Sequence, residues 1–175
     1  MALLKQVQQM GINKEMTIFS AFMTNVVAKG ISPEALEGVY SMHYFYYDLS
    51  GFGDKEASKS AKEFTDLYRA KYKNPPDAYA AIAYTAYMEM FRGFEAAKSF
   101  DPLKVSAALM ANKGEFNTVK GPAKWREDHA AVYTHAAFLV KGKAPAERKN
   151  EWDLFTVIGS QGGESVLPTL KSLGY

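Results

Sequence analysis

Few side chains in this chain of 175 residues have chemistry to offer: three histidines, one carboxylate ahead of a strand, a run of four aromatics and one glycine-rich stretch. Cysteine is absent, which removes disulfides, thiolate metal ligands and a cysteine nucleophile. His129 and His135 stand six apart. On one continuous strand they would share a face but lie roughly 20 Å from each other, too far to share a metal ion. No Gly-x-Ser-x-Gly turn is present to raise a serine nucleophile. Gly159-Ser160-Gln161-Gly162-Gly163 follows a strand pattern, where such a loop can cradle phosphate. It lacks the Lys-Ser/Thr of a P-loop and the full dinucleotide fingerprint, so it reads as a flexible turn. Tyr44, Phe45, Tyr46 and Tyr47 would alternate faces on a strand. Two would then serve a core and two a cleft for a planar or apolar ligand; burial on both faces fits equally well. Glu37 precedes Gly38 and the strand pattern at 39–47. A carboxylate at a strand edge beside an apolar wall suits an ammonium group, although such an acid on its own is also an ordinary solvated loop residue.

The elements that must position these residues follow from the patterning. The longest helical pattern runs over 74–99, after Pro75 and Pro76, with Asp77 at the N-cap position. Tyr79, Ile82, Ala83, Ala86, Met90, Phe94 and Ala97 recur at three- and four-residue steps, which predicts a wide apolar face and a central buried helix. Its alanines keep the first half slim enough to approach another backbone. An amphipathic helix precedes it at 55–72, with Ala57, Ala61, Phe64, Tyr68 and Tyr72 on its face. A short helix follows after Asp101-Pro102. Helices are also expected at 2–10 and 23–29, and strands at 16–20, 39–47, 115–119, 131–140 and 152–158. Gly121-Pro122 and 142–145 read as turns, and 162–175 holds at most a short helix. A helix, a glycine and then a strand at the start look like the second half of a strand–helix–strand unit. The fold class is α/β.

Composition narrows the function. At 47% apolar and 23% charged residues, the chain has the balance of a folded globular domain. A net charge of +2 with dispersed lysines and arginines gives no phosphate-tracking stripe, so nucleic acid is not an expected partner. No apolar run approaches the ~20 residues of a membrane span, and the first residues do not read as a signal peptide.

The pieces, in this order, resemble the C-terminal half of a type I periplasmic solute-binding protein of the branched-chain amino acid, amide and urea-binding group. Gln9-Met10-Gly11-Ile12 before a strand is similar to the family's helix–Gly–strand step, and Glu37-Gly38-Val39 to its Glu-Gly-apolar strand entry. Phe64, Tyr68, Tyr72 and Pro75 resemble its Phe-x3-Tyr-x3-Tyr…Pro segment. Ala83-Tyr84-Thr85-Ala86 resembles its Ala-Tyr-Asp-Ala, with Thr85 in place of the usual Asp. Phe116, Thr118, Gly121, Trp125 and His129 resemble its Phe-x-Thr…Gly…aromatic…His run, and 137–142 its next strand and turn.

That resemblance implies a partial type I periplasmic-binding-protein fold, with parts of two Rossmann-like lobes. Residues 1–47 would belong to lobe two, 50–115 to the helical part of lobe one, and 116–175 would return to lobe two. It further implies a solute receptor of an ABC importer that delivers its cargo to a membrane permease, with no cofactor and no covalent chemistry. Family members are about twice as long and carry a signal peptide, so a periplasmic location is implied for a longer protein of which this chain is a piece. Glu37 matches the position that pairs with a ligand ammonium in amino-acid-binding members. Ser20, Ala21 and Phe22 follow a lobe-two strand where ligand contacts occur, Tyr79 and Tyr84 begin the cleft-facing lobe-one helix, and Tyr44 opens the aromatic run. Amino acids, amides, urea-like compounds and aromatic acids all remain open as ligands. With strands missing from both sheets, the chain alone is expected to dimerise. The alternatives are a ligand-sensing regulatory domain of the same fold, a small cytoplasmic α/β enzyme, or an oligomeric module.

Overall fold

The computed structural model describes residues 2–111 and 114–175. Strands β1 (Phe19–Ser20), β2 (Tyr40–His43), β6 (Ala137–Gly142) and β7 (Phe155–Gln161) form a four-stranded sheet in the order β1-β2-β6-β7. Strand β1 runs parallel to β2, whereas the β2–β6 and β6–β7 pairs are antiparallel. Strands β3 (Glu115–Thr118), β4 (Gly121–Trp125) and β5 (Ala131–Tyr133) form a separate antiparallel sheet. Helices α1 (Ala2–Gln9), α2 (Ile12–Glu15), α3 (Asn25–Lys29) and α4 (Pro33–Leu36) lie in the chain with the parallel pair. Helices α5 (Lys55–Tyr72), α6 (Ala78–Ala97) and α7 (Pro102–Met110) precede the smaller sheet, and α5 packs on β4.

Three aspartates set the starts of the long helices. Asp54 accepts from the N–H groups of Glu56 and Ala57, Asp77 from Ala80, and Asp101 from Leu103 and Lys104. Each satisfies donors that the first turn leaves free. The core is one continuous cluster in which Leu36, Val39, Phe138 and Val140 of the larger sheet's side meet Ala57, Ala61 and Phe64 of α5.

Helix α6 occupies the predicted segment but buries a different stripe. Ala78, Ala81, Thr85, Glu89 and Gly93 are its buried residues, while Tyr79, Ile82 and Met90 of the predicted face are exposed. Small side chains won because they permit close approach: a Cβ on Gly93 would stand 2.8 Å from Val105 of α7. Other expectations shift. The strand expected at 39–47 stops at His43, because Phe45, Tyr46 and Tyr47 leave the sheet and enter the core beneath α5. Phe45 packs edge-on against Phe64, and the Tyr46 hydroxyl accepts from the N–H of Phe155. The strand expected at 131–140 is two strands in different sheets, β5 and β6. Gly121-Pro122 opens β4 rather than forming a turn; β5 joins only from Ala123, so Pro122 withholds no ladder hydrogen bond from it. Helix α3 starts at Asn25, two residues after the expected start, with Thr24 as cap. The supposed flexible turn at 159–163 is largely the end of β7.

The smaller sheet lies with helices α5–α7 and is separate from the larger sheet. Three connections therefore pass between the two parts: 44–54, 134–136 and the chain leaving β7 at Gly162. The tail beyond Gly162 lies on the smaller sheet. Gly163 N–H donates to Tyr133 O, Lys124 pairs with Glu164, and Arg126 donates to Pro168 O.

Candidate functional site

Parallel strands β1 and β2 end at the same edge of their sheet, and in open α/β sheets ligands bind beyond the carboxyl ends of such strands. From β1 the chain exits through Ser20, Ala21 and Phe22, then turns at Thr24, whose hydroxyl accepts from Val27 N–H. Phe22 is 44% exposed and Tyr79 63% exposed. Their rings meet edge-on at 6.0 Å and 74°. The first turn of α6, fixed by the Asp77 cap, thus stands over the exit of β1. The predicted residues Ser20, Ala21, Phe22 and Tyr79 come together here.

The remaining predicted residues divide. Tyr44 lies at the exit of β2, but its ring is engaged by Tyr133 at 5.8 Å and by the Lys120 ammonium at 3.5 Å. Burial pushes its phenol above the ordinary range. It supports the edge from beneath rather than offering a free face. Tyr84 packs on Phe64 at 4.9 Å and lines a groove of about 420 Å³ between α5, α6 and β3, away from Phe22. Glu37 is the clearest separation. It caps the C-terminus of α4 with its N–H on Pro33 O, exposed, at the amino end of β2. The whole of β2 lies between it and Tyr44, roughly 20 Å at strand rise. Glu37 faces a groove shared with Lys14, Thr17 and Lys141, and the geometry removes it from the cluster at the carboxyl edge.

Two polar groups, Asn25 and His135, carry no local signal in the sequence. Asn25, 2% exposed, has neither amide atom hydrogen-bonded among the described residues, a costly state hidden in the sequence because Asn25 falls inside the expected helix at 23–29. His135 is buried between the two parts. Its Nε2 donates to the Asp54 carboxylate at 2.9 Å, because a carboxylate only accepts, and its Nδ1 shares a hydrogen bond with the Ser160 hydroxyl at 2.8 Å. That hydrogen bond, first, and the α5 N–H groups hold Asp54 below the usual carboxylate range. Ser160 lies within β7 opposite Phe138, not on the sharp strand-to-helix turn of a nucleophile elbow. The three residues read as a fastening between α5, the second connection and β7. His129 stands apart with φ 63°, exposed in the turn after Arg126. Among the described residues no three His, Asp or Glu side chains are grouped to hold a metal ion.

The chain is thus a two-part α/β body, joined by adjacent connections and carrying an aromatic pair at the carboxyl edge of its parallel strands. Residues 1–148 match the family model described as periplasmic binding protein, and the chain belongs to that family. Three solved structures show the same fold. A branched-chain amino acid ABC transporter periplasmic ligand-binding protein from Burkholderia xenovorans matches at 23% identity over 97% of this chain and 43% of its own, with a TM-score of 0.79. An amino acid ABC transporter substrate-binding protein from Pseudomonas fluorescens matches at 22% identity over 98% and 43%, with a TM-score of 0.78. A solute-binding protein from R. palustris, in complex with benzoate, matches at 18% identity over 91% and 40%, with a TM-score of 0.64. The chain thus spans about two-fifths of the length of these structures. No curated protein sequence matches it.

Proposed function

We propose that this chain is part of the extracytoplasmic solute receptor of an ABC importer, closing by hinge motion on a small amino-acid-like or aromatic solute and passing it to a membrane permease. The observation that carries the reading is the contact of Phe22 with Tyr79, which brings the exit of β1 and the start of α6 to one point. Closure of such a site needs no covalent step; the ligand stabilises the closed arrangement by its differential contacts there. Aromatic rings on both sides suit an apolar side chain or a planar acid.

The test uses the native protein that carries this chain, recovered from the periplasmic fraction of its cells. Thermal-shift screening against amino acids, amides, urea-like compounds and aromatic acids is expected to find a stabilising ligand. Calorimetry should then show Phe22→Ala and Tyr79→Ala each weakening it by about 10–100-fold, the equivalent of roughly 1–3 kcal/mol. Glu37→Ala should leave affinity within about twofold. A protein confined to the cytoplasm, or no ligand in any of the four classes, would remove the proposal.

A further inference from the structure

Lys120 occupies the tight turn between β3 and β4, and it is only 1% exposed. Its ammonium donates to Tyr44 O at 3.0 Å and to Ala136 O at 2.8 Å. Those carbonyls belong to two different connections between the parts of the molecule. The Tyr44 and Tyr133 rings flank the same nitrogen, with centroids at 3.5 and 4.7 Å. One side chain therefore ties the smaller sheet to both crossings at once.

We infer that Lys120 is a clasp at the junction, and that separating the two connections at this point is coupled to proton uptake by its amine. The groups around it decide the sign. No carboxylate pairs with Lys120 among the described residues. The Tyr44 and Tyr133 rings face it, and the titratable groups of the adjoining segments, Asp54 and His135, bond to each other. Glu56 of α5 opens into the groove lined by Thr118 and Val119. Carbonyls and rings offset only part of the cost of burying an ammonium, and burial lowers the amine to about 7 from its ordinary 10.5. A motion that parts Tyr44 from Ala136 admits water and restores the ordinary value. Between pH 7 and 10.5 the opened form consequently holds a proton that the closed form lacks. Opening is favoured as pH falls and resisted as pH rises.

Which bodies move rests on the two-lobed reading above; the coupling does not, and it is measured without ligand. Amide hydrogen exchange of the 175-residue chain, corrected for intrinsic rates, is followed over 40–54 and 130–140. Protection there is expected to rise about 30-fold from pH 6 to pH 8.5, the factor that follows from a closed-state amine at about 7. Lys120→Met should abolish this dependence, whereas a merely structural role would lower protection alike at both pH values. The same pH dependence in Lys120→Met would overturn the inference. So would an NMR titration of wild-type Lys120 centred near 10.5, which also decides the matter if the variant does not fold. Proton coupling in a protein that answers to no solute would sink the receptor reading and leave the clasp standing.

Discussion

Acid should unfold this protein through one histidine before its carboxylates titrate. His43 ends β2, opposite Phe138 on β6, and is 1% exposed. Its ring packs edge-on against Phe155 at 4.8 Å and Tyr46 at 6.0 Å, and its Nε2 has no hydrogen-bond partner among the described residues. A cation has nothing to hold it there, and burial lowers the imidazole from 6.5 to about 4. The unfolded chain therefore binds a proton that the native state refuses between those values. The contribution of His43 to stability is complete above 6.5 and is lost as pH drops through that window towards 4. Integrating the linkage, the loss from pH 7 is about 2 kcal/mol at pH 5 and about 3 kcal/mol at pH 4. Urea unfolding of wild type and His43→Leu at pH 7 and pH 5 isolates it. Leucine has similar volume and no orphaned nitrogen, so the variant should lie within about 1.5 kcal/mol of wild type at pH 7. It should then lose about 2 kcal/mol less than wild type at pH 5. Equal losses in the two proteins would refute the reasoning, as would a wild-type His43 NMR titration near 6.5.

The other predictions concern backbone contact, capping and exposed edges. Gly142→Ala would put a Cβ 2.0 Å from Leu36 O, a backbone atom with nowhere to go. It should cost about 3 kcal/mol or more, read as a collapse of the circular-dichroism melt; a melting temperature within a few degrees of wild type would contradict the geometry. Asp54→Ala removes both the α5 cap and the partner of His135, and should cost about 1–3 kcal/mol in urea unfolding, while Asp54→Asn should recover most of it. A loss no greater than that of an exposed aspartate would count against the fastening. Among the described residues strand β1 leaves the outer edge of its sheet unpaired, and Met16 before it and Phe19 within it are 64% and 55% exposed. Light scattering of the chain alone at tens of micromolar is expected to give the mass of two chains, and a monomer would refute pairing through these surfaces.

Local rules made much of the fold legible. Asp77 and Asp101 announced their helices because a cap acts within three residues, and 55–72 was readable because its apolar residues repeat on one face. What failed were statements that depend on distant chain. The burial of α6 turned on Gly93 meeting Val105 and Leu109 of α7, and a hydrophobic stripe counts only side chains, not the space a small residue opens. The aromatic run looked like a strand because Tyr, Phe and alternation suit strands. Its real task is to thread a connection through the core, where Tyr46 meets Phe155 more than a hundred positions on. At the candidate site, the order of elements brings the Ser20–Phe22 exit and Tyr79 to one edge, whereas Glu37 was placed by motif alone. Glu37 precedes its strand in the sequence and in the structure alike, and therefore stands at the amino end, opposite the edge where the other residues gather.

The same limit explains why Lys120 and His135 were invisible. Each is an ordinary residue in an ordinary turn until two or three separate segments converge on it. Lys120 reaches back 76 positions to Tyr44 O, and His135 reaches back 81 to Asp54. Gly162 adds a third such contact, since a Cβ there would lie 2.2 Å from Thr134 O. The connections are therefore held by a buried amine, an imidazole and a backbone contact too close for any other side chain, while the aromatic pair at the strand edge stays open to solvent. The proposed closing receptor calls for that division, with enclosed contacts at the connections and open ones where a solute would bind. Residues that tie the connections together are consequently the ones least predictable from local sequence, because they join chain segments that sequence keeps apart.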